Sequence, residues 1–503
     1  MNVRTMTKWA AAALLVGLVG LAAPQRADAF CGFYVGGGSA DLFANATQAA
    51  MMREGNRTVM SIQNNYQGPT EDFAMVVPVP VVLQETDVKT LPQDLFDKMD
   101  RLTAPRLVEY WEQDPCASPP MYEDSPTAGG GGTRDDVDTG GVTVEAEFKV
   151  GEYEVVILSA TESTGLETWL NDNQYNIPQN AAPFLDPYVQ NGSKFFVAKV
   201  DPNEVTFENG QAVLSPLRFH YDTPEFKIPI RLGLINSGGR QDLIVYTLGQ
   251  NQRYEVANYD NVIIPTNIEV VDDVRHDFAT FYRRLFQETV NQNPNAVVTE
   301  YSWDASTCDP CPGPTLDAGD YLTLGADVLP GQPTWNWTIT RLHARYEKTD
   351  IGADLVFREA PPIVGGRERY DASGNLETGS EPGTVNNFQG RYIIRHHWTG
   401  PVMCQDPTFG RWGGPPGEEG GPSISTNPSP NTEGGQEQTP GSLDDSQLEE
   451  LVIDAIPELG VTPAPRERSD AACTVRGVHG AIPAGFAVVL GLFGLAVIRR
   501  RRD

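Results

Sequence analysis

The sharpest chemical pattern in the sequence is Cys308-Asp309-Pro310-Cys311, a C-x-x-C. Two thiols at this spacing can cycle as a redox dithiol, supply half of a zinc site, or serve structural disulfides whose partners the sequence leaves open. Redox pairs of the thioredoxin type sit where a strand feeds a helix N-terminus, which lowers the thiol pKa. Tyr301-Ser302-Trp303 precedes this pair and Pro312-Gly313-Pro314 follows it, so no helix is expected to start there. A zinc site needs a second ligand pair, and the sequence has no second C-x-x-C. A structural disulfide is the simplest use. Cys31, Cys116 and Cys404 are the other candidate disulfide cysteines of the body, and Cys473 stands apart near the C-terminus. With five body cysteines, one is left to stay free or to pair elsewhere.

Histidine is scarce. His396-His397 is adjacent, and neighbours on a strand point to opposite faces, so the two are poorly placed to chelate one ion. His276 has Asp272, Asp273 and Asp277 nearby, but carboxylates at a helix start are explained by the helix dipole. Gly36-Gly37-Gly38-Ser39 is not the G-x-S-x-G of a nucleophile elbow. There is no H-E-x-x-H, P-loop or dinucleotide fingerprint. Asp135-Asp136-Val137-Asp138-Thr139-Gly140 offers oxygen donors for calcium without the EF-hand order, so calcium is a weak expectation and no other cofactor is expected. The net charge of −30 argues against nucleic acid, which needs cationic surface.

The elements that must position these groups read as strands with a few helices. Short apolar or alternating runs mark strands at Thr58–Gln63, Phe73–Val79, Thr143–Phe148, Tyr153–Leu158, Lys194–Val200, Val213–Phe219, Asp242–Leu248 and Trp337–Tyr346. Pro78 and Pro80 put the second of these at a sheet edge. Helical spacing predicts an interrupted helix over Gln93–Tyr110, a short one at Thr164–Leu170, and the best one over Asp273–Val290. Without regular βαβ alternation, the fold class is α+β, β-rich and mixed.

Both ends read as addresses. Arg4 and Lys8, an apolar run, and Ala27-Asp28-Ala29 form a secretory signal over 1–29, cleaved by signal peptidase after Ala29. Ala481–Ile498 is apolar and is followed by Arg499, Arg500, Arg501 and Arg502, the pattern of one C-terminal transmembrane helix with a cytoplasmic arginine cluster. Between them lie a body over 30–415 with a flexible insert over 117–141, then a Gly/Pro/Ser-rich disordered stalk over 416–472. Leu443–Leu459 regains helical spacing within that stalk. Cys473, a short spacer, the apolar run and the arginines resemble the MYXO-CTERM class of bacterial sorting tails. That resemblance implies cleavage near Cys473 by a rhomboid-type intramembrane protease.

Several ordered strings carry a second resemblance. They are Phe30-Cys31-Gly32-Phe33-Tyr34-Val35, Asp72-Phe73-Ala74-Met75-Val76-Val77-Pro78-Val79-Pro80, Ala104-Pro105-Arg106-Leu107-Val108-Glu109-Tyr110, Cys308-Asp309-Pro310-Cys311, and Thr340-Arg341-Leu342-His343-Ala344-Arg345-Tyr346. Together they resemble the bacterial family called domain of unknown function 2330, over about 30–415. The resemblance implies a bacterial exported protein and places Cys31, Cys116, Cys308 and Cys311 in the family pattern. It implies no catalytic residue. The expected function is therefore a membrane- or surface-anchored, extracytoplasmic binding or structural ectodomain without catalysis. The alternatives are an envelope hydrolase, a thiol redox protein using Cys308 and Cys311, or an envelope assembly factor.

Overall fold

A computed structural model of the chain describes residues 47–63, 74–116, 144–172, 181–201, 203–208, 211–235, 241–346, 352–367, 377, 379–415, 423–426, 443 and 446–465. The signal segment 1–29, the insert 117–141, the apolar run 481–498 and most of 416–442 lie outside the described residues. Two compact units divide the chain at Pro463, and the fold below belongs to the first, Met1–Pro463.

An 11-stranded sheet runs through the centre. Along it lie Glu381–Pro382, Ile363–Gly365, Asn387–Gln389, Val297–Asp304, Trp337–Tyr346, Gln241–Gln250, Thr47–Glu54, Arg57–Ile62, Leu217–Asp222 and Val88–Thr90, with Asn261–Ile263 also on Val297–Asp304. The strand Thr47–Glu54 has no counterpart in the sequence reading. Its Ala49-Ala50-Met51-Met52 run consists of good helix formers, and tertiary burial overrides that preference. The alternation is that of a sheet covered on both faces. Ala49 and Met51 join one core, while Ala50 and Met52 join another.

On the first face the central sheet packs against a four-stranded sheet ordered Ala74–Val79, Lys194–Val200, Tyr153–Ser159 and Val144–Val150. Met51, Met60, Phe219, Val245 and Leu342 meet Met75, Val77, Val155, Ile157 and Phe196 in that sandwich. Ala74–Val79 is an edge strand, as its prolines require, with Pro78 opposite Phe195. Helices Ser163–Asp172 and Ala182–Gln190 cover the outer side of the four-stranded sheet through Leu166, Leu170, Leu185 and Val189. On the second face of the central sheet lie helices Asp94–Thr103 and Ala318–Leu324, which contribute Phe96, Met99, Leu102, Tyr321 and Leu324. The described body is a β-rich mixed fold with few helices.

Two helix expectations need correction. The pattern over Gln93–Tyr110, read as broken at Pro105, is helical only to Thr103, and the part beyond the break is a strand. Ala104, forced to extended geometry before Pro105, turns the chain into strand Arg106–Glu112. That strand pairs in parallel with Arg391–His396 inside a five-stranded sheet. The helix expected from Asp273 starts later, as Phe278–Gln292, because Asp272–His276 forms a 3-10 turn and Asp277 caps the helix by accepting from the Thr280 N–H at 3.1 Å.

The largest departure concerns 443–459. The sequence places this stretch within a disordered stalk, as a possible short helix. The helix is only Leu448–Leu451, and the chain then bridges Val452 to Val270 and Ile456 to Val461. Leu443, Leu451, Val452, Ile456 and Val461 are buried in one core with Phe281, Leu285, Tyr392 and Ile394. The apolar spacing seen in the sequence is thus a seam on the Phe278–Gln292 side of the body. Leu451→Ala should lower the unfolding free energy by about 2–5 kcal/mol, whereas Ile453→Ala, at a side chain 41% exposed, should change it by under about 0.5 kcal/mol. Denaturant titration of the purified protein checks this, and two silent substitutions would detach the segment from the fold.

Candidate functional site

The strand Trp337–Tyr346 is buried along its whole length although it carries Arg341, His343 and Arg345 on one face. That face meets Asp100 from helix Asp94–Thr103, Asp242 from the neighbouring strand, and Glu300 from Val297–Asp304. Glu300 sits where the register between Val297–Asp304 and Trp337–Tyr346 shifts, between Thr299 and Tyr301. A bulge re-aims the side chain of its extra residue, and here it turns the carboxylate onto the cations. Arg341 Nε lies 2.6 Å from Glu300 Oε2, and its Nη1 lies 2.5 Å from Asp100 Oδ1. His343 Nδ1 is 2.8 Å from Glu300 Oε1, and Nε2 is 2.9 Å from Asp242 Oδ1. Arg345 grips both Asp242 oxygens at 2.8 and 3.1 Å. Tyr282 donates to Glu300 at 2.6 Å and Tyr246 to Asp100 at 3.0 Å. Phe286 stacks on His343 with ring centroids 3.9 Å apart.

Both imidazole nitrogens of His343 face carboxylate oxygens, which only accept, so the ring is an imidazolium that donates twice. In that state Asp100, Glu300 and Asp242 balance Arg341, His343 and Arg345. Burial pushes His343 down, but Glu300 and Asp242 outweigh it and hold its pKa above 6.5. Burial pushes Glu300 up, but the charges of His343 and Arg341 carry it down to about 2. Asp242 is likewise held low against burial by His343 and Arg345. Closed to solvent, this network fixes helices and strands to one another and offers no face to a substrate.

A second site lies at the end of strand Arg106–Glu112. Cys116 is bonded to Cys404 across a sequence separation of 288. Glu112 accepts from the Gly410 N–H at 2.7 Å and the Trp398 N–H at 3.0 Å, and these two bonds hold its carboxyl below the usual range. Thr408 N donates to Pro115 O at 2.9 Å. The loop so pinned exposes Val402 at 43%, Met403 at 86% and Phe409 at 55%. The adjacent histidines go separate ways, as strand geometry requires. His396 contacts Glu109 at 2.7 Å and stacks on Trp111, while His397 faces Glu112 at 3.6 Å and Trp412 edge-on.

The C-x-x-C forms the third site. Cys308 and Cys311 are joined by a disulfide, with Cys308 half-buried and Cys311 exposed. No helix begins there, and the next one, Ala318–Leu324, is capped by Asp317. The loop is clamped from below. Arg106 donates to Pro310 O at 2.8 Å and to Leu102 O at 2.6 Å, and Gln389 donates to Asp309 O at 2.8 Å. By chain entropy the Cys116–Cys404 bond contributes about 5–6 kcal/mol and the Cys308–Cys311 bond about 2 kcal/mol.

Of the remaining sequence candidates, Cys31, Ala29, Cys473 and Arg499–Arg502 lie outside the described residues, as does Asp135–Gly140. Cys308 pairs with Cys311 and Cys116 with Cys404, a connectivity that the sequence left open. His276 lies exposed on the 3-10 turn, and Asp277 beside it is used as a helix cap. Among the described residues no three His, Cys, Asp or Glu side chains group as metal ligands, and no helix is long and apolar enough to cross a membrane. Sequence reasoning missed the Glu300 network. Its signal was the alternation Arg341, His343, Arg345, which by itself reads as a solvent face.

The network sets a pH dependence. His343 is raised in the folded state, so its contribution is complete below 6.5 and fades as pH rises through the folded value. Glu300 and Asp242 are lowered, so their contributions are complete above the ordinary carboxyl values and fade as pH falls through the folded ones. Unfolding free energy should therefore fall on the alkaline side of 6.5 with a slope of up to about 1.4 kcal/mol per pH unit. His343→Gln should lose about 3–5 kcal/mol and flatten that alkaline limb; an unchanged limb would contradict the assignment.

Searches of curated proteins and of solved structures give no match. One family matches residues 25–358, that described as "Uncharacterized protein conserved in bacteria (DUF2330)". The matched stretch holds Asp100, Asp242, Glu300, Arg341, His343 and the C-x-x-C, and it ends before Cys404. Because it spans more than half of the chain, the protein belongs to this bacterial family of uncharacterized proteins.

Proposed function

We propose that the protein is an exported, envelope-anchored binding module whose body works outside the cytoplasm. The observation that carries this reading is the Cys116–Cys404 bond, which fastens an exposed loop instead of the core. Protein disulfides persist in oxidising compartments, which supports export through the 1–29 signal. A rigid loop that offers Met403 and Phe409 to solvent, on a chain of net charge −30, has the character of a docking face. Its partner is a macromolecule with apolar surface in the same compartment.

Tethering rests on the C-terminal sequence. The run 481–498 crosses the membrane and Arg499–Arg502 stay on the cytoplasmic side. Cys473 marks where a rhomboid-type protease cuts for transfer to the cell surface. The body contacts neither nucleic acid nor, through its acidic surface, anionic lipid.

Fractionation of the native host with mass measurement of the protein tests location. A chain that begins at Phe30, sits in the envelope and has Cys116 and Cys404 oxidised is expected. A cytosolic chain with Met1 retained and both thiols reduced would overturn the reading. The docking face is tested by retention of the purified protein on isolated envelopes. Met403→Asp with Phe409→Asp should weaken saturable retention roughly tenfold or more without shifting the unfolding midpoint. Equal retention would remove the face.

A further inference from the structure

The Cys308–Cys311 bond braces the fold much less than the Cys116–Cys404 bond does. It closes a sequence separation of only 3, and the loop around it is already held by other contacts. Leu316 N donates to Ala305 O at 3.0 Å, Ala305 N donates to Trp337 O at 2.8 Å, and Arg106 and Gln389 hold the carbonyls of Pro310 and Asp309. Opening the bond would leave the two sulfurs side by side, ready to close again.

Directly beneath the loop is an unusual charge. Arg106 is fully buried, and among the described residues its guanidinium reaches carbonyls but no carboxylate in an ion pair. Its Nε has no hydrogen-bond partner. The facing residue across the parallel pair is Arg391, a second buried cation. The nearest carboxylate influence is that of Asp309, between the two cysteines, and the Tyr301 ring lies 5.8 Å from the guanidinium. A buried cation without a counter-ion is costly, and it favours any anion formed beside it.

We propose that Cys308 and Cys311 form a reversible redox site that exchanges two electrons with a dithiol, with Arg106 as the residue that stabilises the thiolate. A thiolate of the dithiol attacks the exposed Cys311 sulfur, forms a mixed disulfide and releases Cys308 as thiolate. The second thiol of the reductant, once deprotonated, then attacks its own bonded sulfur and releases Cys311. The dithiol leaves as a disulfide, and its two protons end on Cys308 and Cys311. In an oxidising compartment the resting disulfide is the oxidant, and the substrate is a cysteine pair of another exported polypeptide.

The test uses the whole protein in glutathione buffers of graded ratio, with trapping by maleimide and peptide mass analysis. Cys308 and Cys311 should open together, reversibly, at ratios that leave Cys116–Cys404 closed and the fold intact. Opening only on global unfolding would overturn the proposal. Cys308→Ser should accumulate a mixed disulfide on Cys311, and an inert Cys311 would count against it. Arg106→Met should slow alkylation of the reduced pair at neutral pH about tenfold, one unit of thiol pKa, while Arg106→Lys retains most of the rate. If Arg106→Met does not fold, the wild-type titration and Cys308→Ser still decide the matter.

Discussion

The carboxylate of Glu300 has no access to water, and everything around it is arranged to satisfy it. Arg341, His343 and Tyr282 approach it from a neighbouring strand and from helix Phe278–Gln292. A charge in this position tolerates little displacement, because the loss of any one partner leaves an unpaired ion in a dry interior. The bulge at Thr299/Tyr301, the register of Gln241–Gln250 on Trp337–Tyr346, and the seating of helix Asp94–Thr103 through Asp100 all meet at this point. Replacement by apolar side chains of the same shape could match it in stability. What the ions contribute is specificity, since a slip of one residue in Trp337–Tyr346 would turn Arg341 and His343 toward the opposite core, and a slip in either neighbouring strand would turn Glu300 or Asp242 away from them.

With the interior closed in this way, the C-x-x-C loop and the exposed Met403 and Phe409 fall at the rim. One strand connects them. Arg106–Glu112 begins with the guanidinium beneath the C-x-x-C loop and ends with the carboxylate that pins Trp398 and Gly410. Seven extended residues span about 20 Å, so the disulfide-stapled apolar loop and the C-x-x-C lie at opposite ends of a single rigid element. A partner docked on Met403 and Phe409 would reach the thiol site only if it were itself long enough to follow that strand.

Much of this was legible in the sequence. Lys194–Val200 and Trp337–Tyr346 were readable to the residue, because strand alternation and turn residues agree there. The edge position of Ala74–Val79 followed from its prolines, and disulfide use of Cys308 and Cys311 from the absence of a following helix and of a second ligand pair, though not their partner. The rest was hidden for physical reasons. Thr47–Glu54 carries helix-forming Ala and Met in a strand buried on both faces. Arg341, His343 and Arg345 alternate with Leu342 and Ala344 as they would on a half-solvated strand, and only partners such as Asp100, 241 residues away, make their burial tolerable. The Cys116–Cys404 pairing is one of several that the cysteine count permits. The stretch around Leu448–Leu451 follows a polar, Gly-rich run, so its apolar spacing read as a short helix within a stalk, and its partner face on Phe278–Gln292 stayed hidden.

The central claim, that a doubly donating imidazolium is locked between two buried carboxylates, is open to one direct observation. Neutron diffraction from deuterated crystals near pH 6.5, where an unperturbed imidazole is half protonated, locates the protons themselves. The account predicts deuterium on both Nδ1 and Nε2 of His343 and none on Glu300. A ring with one bare nitrogen, or a deuteron on the Glu300 carboxyl, would contradict it.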